Sequence, residues 1–390
     1  MPLEYKTFKE IDEGDLQSLI DNQVSEGITI DYKKVLNIQK PSDKKEFLND
    51  ISSFANTQGG YIIYGMKEEK GIASELCGIV LENADAEIQK LEGFIRDGLE
   101  PRVYGTQIKP INLSGDRYAL VIRIPRSFNP PHMVTIDGHR KFYGRNSSGK
   151  YPLNVEDLRI LFGLADEITK KAKEFCYDRV FKIKSSQSPA PLLEGPKYVL
   201  HLVPFGSFKP AINYDLSEFK KDPKKLPFIK SGSGTFPSGR YNFEGFVSYR
   251  GIKQPYAYTQ IFRNGIIEAV DMEYNPKSEN NVSDGIDINY ENYIRNAISK
   301  YFDIQQNLGI TPPVFVIFTL LGVKGAHIGY SESHEPKLEP IIGSVPFIRD
   351  DLILPEVILS NFDNAQIEQQ MRQVFDIVLN AANLTREQIR

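Results

Sequence analysis

Between Asp43 and Met66 (DKKEFLNDISSFANTQGGYIIYGM) the hydrophobic period changes from helical to extended, with only a short glycine junction between the two regimes. Phe47, Ile51, Phe54 and Ala55 recur at helical spacing, and Asp43 and Glu46 stand in capping-box spacing. A helix over 43–57 is therefore predicted. Gly59-Gly60 ends it, and Tyr61–Met66 reads as a buried strand. The glycines permit left-handed backbone or a close approach by phosphate. The order is helix, glycines, strand, whereas a phosphate-binding loop runs strand, glycines, helix. No GxxxxGK[ST] string occurs, and GRNSSGK at 144–150 lacks that spacing, so neither ATP nor NAD is expected. Asn56, at the helix end, is placed to bond exposed backbone or a ligand.

Around this junction a first block runs from about residue 10 to 165. A short helix carries Leu16, Leu19 and Ile20, and an extended segment follows over 27–35. A polar helix over 83–98, strands over 103–111, 118–125 and 141–145, and a closing helix over 154–163 complete an α+β domain with a mixed sheet and packed helices. Residues 166–197 read as helix and linker, with Ser and Pro concentrated in SSQSPAPLLEGPK. From 198 to 390 a second α+β domain is expected. It has strands at 198–203 and after Pro313, a strand and turn in YTQIFRNGIIEAV, a Gly/Ser-rich loop at 231–240, and helices over 289–306 and 366–383. Dimerisation or sensing of a signal are the roles open to it.

Net charge is −4, from 47 Lys and Arg against 51 Asp and Glu, which excludes a wholly basic protein but not a basic face. No secretory leader is visible, and the most apolar run, 312–323, is shorter than the roughly 20 residues of a membrane-spanning helix. A soluble, cytoplasmic protein without membrane contact is expected. Cys77 and Cys176 need no pairing in a chain of this size.

Three groups of residues can carry chemistry. Glu26 and Asp31, with Lys33 two positions on and on the same strand face as Asp31, form an acidic start, and Glu68 and Glu69 follow the buried strand. Two carboxylates from one segment and one from another suit Mg²⁺ or Mn²⁺, which would orient water against a phosphodiester while Lys33 offsets phosphate charge. The alternative is acidic strand ends that face solvent. Arg140, Lys141 and Arg145, interleaved with Phe142 and Tyr143 and flanked by His132 and His139, suit a phosphate backbone and unpaired bases, or else form an exposed hairpin. Lys220, Lys221, Lys224 and Lys225 form a third, basic run, which is a solvated loop or a widening of the footprint. His201, His327 and His334 are scattered, and no GxSxG string points to a serine hydrolase.

Taken together, EGITIDYK, KKEFLNDISSFANTQGGYIIYGMKEEKG and FYGRNSSG resemble the AlbA_2 domain of Schlafen proteins and many bacterial relatives, over about residues 10–165. The resemblance implies a domain facing RNA or DNA. In Schlafens that cleave RNA, three carboxylates hold a divalent ion. Carried over, these fall on Glu26, Asp31 and Glu68, or Glu69 if the turn shifts. Asp31 stands where the family more often has Glu, and Lys67 where an acid is common. Lys33 joins the catalytic set, and Asn56, Arg140, Lys141, Tyr143 and Arg145 form the nucleic-acid contacts. Three readings follow: a metal-dependent endoribonuclease, a non-catalytic DNA-binding transcriptional regulator, and a protein-interaction module. A homodimer is compatible with each.

Overall fold

The structure, a computed structural model, describes residues 3, 6–113, 116–208, 212–230, 237–251, 255–272, 285–330, 338–359, 362 and 364–389. Most of the Gly/Ser-rich loop (231–236) and His334 lie outside the described residues. The chain divides into two compact units, Met1–Glu167 and Ile168–Arg390.

In chain order the first unit contains α1 (Glu13–Asp21), β1 (Ile30–Lys33), α2 (Pro41–Ala55), β2 (Gly59–Tyr64), β3 (Met66–Glu69), β4 (Ile72–Leu76), α3 (Ala84–Gly98), β5 (Leu99–Glu100), β6 (Gln107–Leu113), β7 (Arg117–Pro125), β8 (Met133–Val134), β9 (Lys141–Asn146) and β10 (Gly149–Pro152). Its main sheet has the order β1-β2-β7-β6, parallel between β1 and β2 and antiparallel elsewhere. This is the mixed sheet that was expected.

Strand alternation sends Ile62, Tyr64, Leu120, Ile122 and Ile124 into one core with Phe47, Ile51 and Phe54 of α2 and Leu91 and Ile95 of α3. Tyr61, Ile63, Ala119 and Val121 face the other way, into a core with Leu16 and Leu19 of α1. Both faces are covered, which is why YIIY and ALVI read as unbroken apolar runs. β5, β8, β9 and β10 form a smaller sheet, order β10-β9-β8-β5.

Two details of the junction differ from expectation. The helix starts at Pro41, whose fixed φ suits a first helical turn, and Asp43 accepts from the Lys40 amide at 3.3 Å. Asp43 is thus the third helical residue and Glu46 is not its capping partner. The glycines open the strand and serve close packing of backbone on backbone. A Cβ on Gly60 would lie 2.3 Å from the Thr29 carbonyl oxygen, and one on Gly59 would lie 2.4 Å from the Arg126 amide nitrogen.

The helix expected over 154–163 is α4 (Val155–Lys184), 30 residues long. Asn154 caps it, its Oδ1 accepting from the amides of Glu156 at 2.8 Å and Asp157 at 2.9 Å. Gly163 does not stop it, because the Leu, Ala, Lys and Glu residues that follow are strong helix formers and no proline intervenes.

The second unit contains the later part of α4, then β11 (Lys197–Pro204), α5 (Ser217–Lys221), β12 (Ser238–Tyr241), β13 (Gly245–Arg250), β14 (Ala257–Phe262), β15 (Ile267–Met272), β16 (Gly285–Asp287), α6 (Tyr290–Asn307), β17 (Val314–Leu321), β18 (His327–Tyr330), β19 (Glu339–Pro340), β20 (Asp351–Ile353), β21 (Val357–Leu359) and α7 (Asn364–Ala381). Its large sheet has the order β12-β13-β14-β15-β11-β17-β20, with β21 also on β17. YTQIFRNGIIEAV forms the β14–β15 hairpin. Helices α6 and α7 cover one face, while Val180 and Ile183 of α4 pack with Val199, Val247, Tyr258 and Val270 on the other.

Within the second unit, Arg179 of α4 bonds Glu268 at 2.7 and 2.8 Å and Glu244 at 2.9 Å. His201 and Tyr258 complete the shell around Glu268. Burial opposes the Glu268 charge, yet the Arg179 and His201 contacts hold its pKa at about 2. Lys225 of the basic run pairs with Glu218. Both cysteines are free, and among the described residues no helix is long and apolar enough to cross a membrane.

Candidate nucleic-acid interface and carboxylate centre

β1 presents Asp31 and Lys33 on the face that packs under α2, since Asp31 lies in register with Ile62 and Lys33 with Tyr64. Asp31 is 4% exposed. Its Oδ2 accepts from Arg145 Nη1 at 2.8 Å, and its Oδ1 lies 3.2 Å from Lys33 Nζ. Arg145 enters from β9. Its guanidinium also donates to the Gly27 carbonyl at 2.8 Å and lies over the Phe54 ring, 4.4 Å from the centroid. Glu26 approaches from the turn before β1, its Oε1 accepting from the Tyr32 amide at 2.7 Å. Glu26, Asp31, Lys33 and Arg145 are thus brought together.

The electrostatics of the pair are unequal. Burial first, then a hydrogen bond with Asp31, pushes the Glu26 carboxyl up to about 7. Asp31 moves the other way: burial opposes its charge, but Lys33 and Arg145 hold it below the usual carboxylate range. The Glu26 carboxyl thus holds its proton more tightly than Asp31, and two cations face the Asp31 carboxylate.

α2 extends this centre with Asp50 and Glu46, which the reading of the sequence missed. Asp50 is 2% exposed, lies 3.9 Å from Lys33 and 2.7 Å from Lys150 of β10, and burial raises its pKa despite both lysines. Lys150 also pairs with Glu46. A signal was available: Asp50 stands inside the apolar stripe of α2, where an acid needs a buried partner, and Glu46 lies one turn before it.

Glu68 does not join the centre. It stands exposed on the β3–β4 hairpin, where its Oε2 accepts from its own turn at the Gly71 amide, while Lys67 pairs with Glu69 at 2.9 Å. Among the described residues no three Asp, Glu, His or Cys side chains are grouped so as to hold a metal ion. The donor set of Glu26, Asp31 and Glu68 therefore does not fit a divalent cation as arranged. Both Asp31 oxygens face cations of the chain itself, and the Glu68 carboxylate is engaged by the Gly71 amide.

Asn56 and Arg145 also differ from the contacts expected of them. Asn56 is buried. Its amide donates to the carbonyls of His132 at 3.1 Å and Tyr143 at 2.9 Å and accepts from the His132 amide at 2.7 Å, which clamps α2 to the small sheet. Arg145 is turned inward, as above.

Arg140 and Lys141, by contrast, are exposed at the start of β9. Behind them the His139 and Tyr143 rings stack with centroids 6.0 Å apart, and Tyr143 Oη lies 3.1 Å from His139 Nε2. Slight burial and the charges of Lys45 and Lys141 together lower the His139 pKa. Among the described residues no carboxylate pairs with Arg140, Lys141 or Lys45, and Lys45 and Lys141 both act on the stacked His139 ring.

The first unit is a mixed α/β domain with helices on both faces of a four-stranded sheet. Within it, residues 26–154 match the family described as Schlafen, AlbA_2, so the chain's N-terminal region carries a match to that family. No curated protein matches the chain. Among solved structures, the DIP2311 protein from Corynebacterium diphtheriae is 16% identical with a TM-score of 0.25, the match covering 36% of this chain and 29% of that one. The N-terminal domain of a protein described as related to the ATP-dependent DNA helicase RecG, from Nitrosomonas europaea, is 21% identical with a TM-score of 0.26, covering 34% of this chain and 87% of that one. The match thus spans less than a third of the length of the first.

Proposed function

We propose that the N-terminal unit binds nucleic acid through the Arg140–Lys141–Lys45 end of the domain, and that its carboxylate centre is structural. The observation that carries the reading is that Arg140 and Lys141 stand exposed at the start of β9 and, with Lys45, have no paired carboxylate among the described residues, a local positive field on a chain of negative net charge. The stacked His139 and Tyr143 rings give that field an aromatic surface suited to unpaired bases. Arg145 and Lys33 occupy both oxygens of Asp31, which supports binding without cleavage. The transcriptional-regulator reading is compatible with this surface.

Cleavage is the second reading. One observation favours it: Gly71 O accepts from the Glu26 amide at 2.7 Å, which keeps the Glu68-bearing hairpin beside the Glu26–Asp31 pair.

Fluorescence anisotropy with labelled single-stranded RNA and DNA tests the proposal. Three phosphate contacts on a single strand give a slope of log K against log salt of about −2. Arg140→Glu/Lys141→Glu weakens binding at least about tenfold and flattens that slope. Binding that is indifferent to salt, or to the charge reversal, would remove the surface from consideration.

A further inference from the structure

His139 is the one titratable imidazole set among the cations at the start of β9. It ends the 3-10 turn Ile136–Gly138, its amide donating to the Ile136 carbonyl at 2.9 Å, and Arg140 and Lys141 follow it directly. The ring is half-buried, stacked on Tyr143, with Nε2 3.1 Å from Tyr143 Oη. A tyrosine hydroxyl donates to a neutral imidazole nitrogen and accepts from a protonated one, so this contact survives a change of charge. Among the described residues no hydrogen bond holds the other nitrogen, Nδ1.

The charges around the ring are unequal in sign. Lys45 of α2 and Lys141 of β9 act on it and, with slight burial, keep it below its ordinary pKa. Of the carboxylates nearby in the chain or on α2, Glu46 is paired with Lys150 of β10, and Asp137 stands exposed on the turn itself. Among the described residues no ion pair joins His139 to a carboxylate. The ring is thus kept neutral by cations that a phosphate would neutralise. A phosphate settling on Arg140, Lys141 and Lys45 removes that repulsion and itself favours the imidazolium.

We propose, on the reading of this end of the domain as a nucleic-acid surface, that His139 is a further phosphate contact, neutral in the free chain at pH 7 and protonated when a strand is bound. The imidazolium keeps Nε2–H on Tyr143 Oη and leaves Nδ1–H for the strand. Binding then takes up a proton, and affinity rises as pH falls. For a single group the dependence is at most about tenfold per pH unit.

The test is fluorescence anisotropy of the full chain with labelled single-stranded RNA and DNA from pH 5.5 to pH 8 at constant ionic strength. The strands carry no terminal phosphate, whose second proton titrates in the same range. The comparison is with His139→Gln, which stays uncharged, and with His139→Phe, which also keeps a ring against Tyr143. Glu26 titrates near pH 7 in all three proteins, so the ratio of wild-type to variant affinity belongs to His139. That ratio grows at least about threefold between pH 7.5 and pH 6, alike for both variants. Proton NMR of the imidazoles, with His139 assigned by its loss in the variants, reads the same linkage directly. Its midpoint moves up by at least about half a pH unit when strand is added. Salt-sensitive binding with a constant ratio and an unmoved midpoint would overturn the proposal and leave the surface standing. No salt-sensitive binding at any pH would remove the surface and the proposal together.

Discussion

Glu26 keeps its proton in the folded chain to about pH 7, whereas an ordinary glutamate releases it near 4.5. Between those values the unfolded chain sheds the proton and the folded chain retains it, so folding loses stability as pH rises through the window. Glu26→Gln imitates the protonated form and removes that loss. His132 acts oppositely: burial lowers it to about 4, so its contribution is lost as pH falls from 6.5. The difference between wild type and variant isolates Glu26, and urea titrations from pH 4 to pH 8 should show the variant gaining relative stability up to about pH 7. Parallel curves would mean that the Glu26 carboxyl is not raised in the folded chain. Removal of the Arg145 charge acts on the same centre. Arg145→Met leaves Asp31 buried with Lys33 alone and costs about 3 kcal/mol, which urea denaturation would read; a loss below about 1 kcal/mol would place Arg145 outside the lock.

At the scale of elements, backbone geometry around the helix–strand junction sets the tolerance to substitution. Gly60→Ala drives a Cβ into the Thr29 carbonyl at a φ of +153°, and a loss of about 2 kcal/mol or more is expected. Gly163→Ala stabilises α4 by up to about 1 kcal/mol, since nothing lies within 4 Å of the added carbon. Thermal melts of the two variants should move in opposite directions. The period change from α2 to β2, the hairpin in YTQIFRNGIIEAV and the helices α3, α6 and α7 were legible because each is written in local spacing. The length of α4 was not, because a glycine in a helix is tolerated when its neighbours favour helix strongly. Sheet order was also hidden, as it depends on contacts far apart in the chain. At the centre, Glu26, Asp31 and Lys33 were legible as a group. Asp50 and Lys150 were not, because their pairing depends on α2 crossing the β9–β10 hairpin. Asn56 and Arg145 carry residue types suited to ligands, but burial gives their hydrogen bonds to the chain itself.

For the whole molecule, the N-terminal unit combines an exposed basic end with carboxylates held by the protein's own cations. Under the proposed function that combination binds nucleic acid and does not cleave it. The most direct measurement is incubation of labelled transfer RNA and single-stranded DNA with Mn²⁺, Mg²⁺ or EDTA, following strand length and bound fraction together, in the wild type and in Glu26→Ala/Asp31→Ala. The account predicts intact strands throughout and salt-sensitive binding that EDTA leaves unchanged. Metal-dependent shortening of either strand, abolished in the double variant, would contradict it and return Glu26 and Asp31 to catalysis.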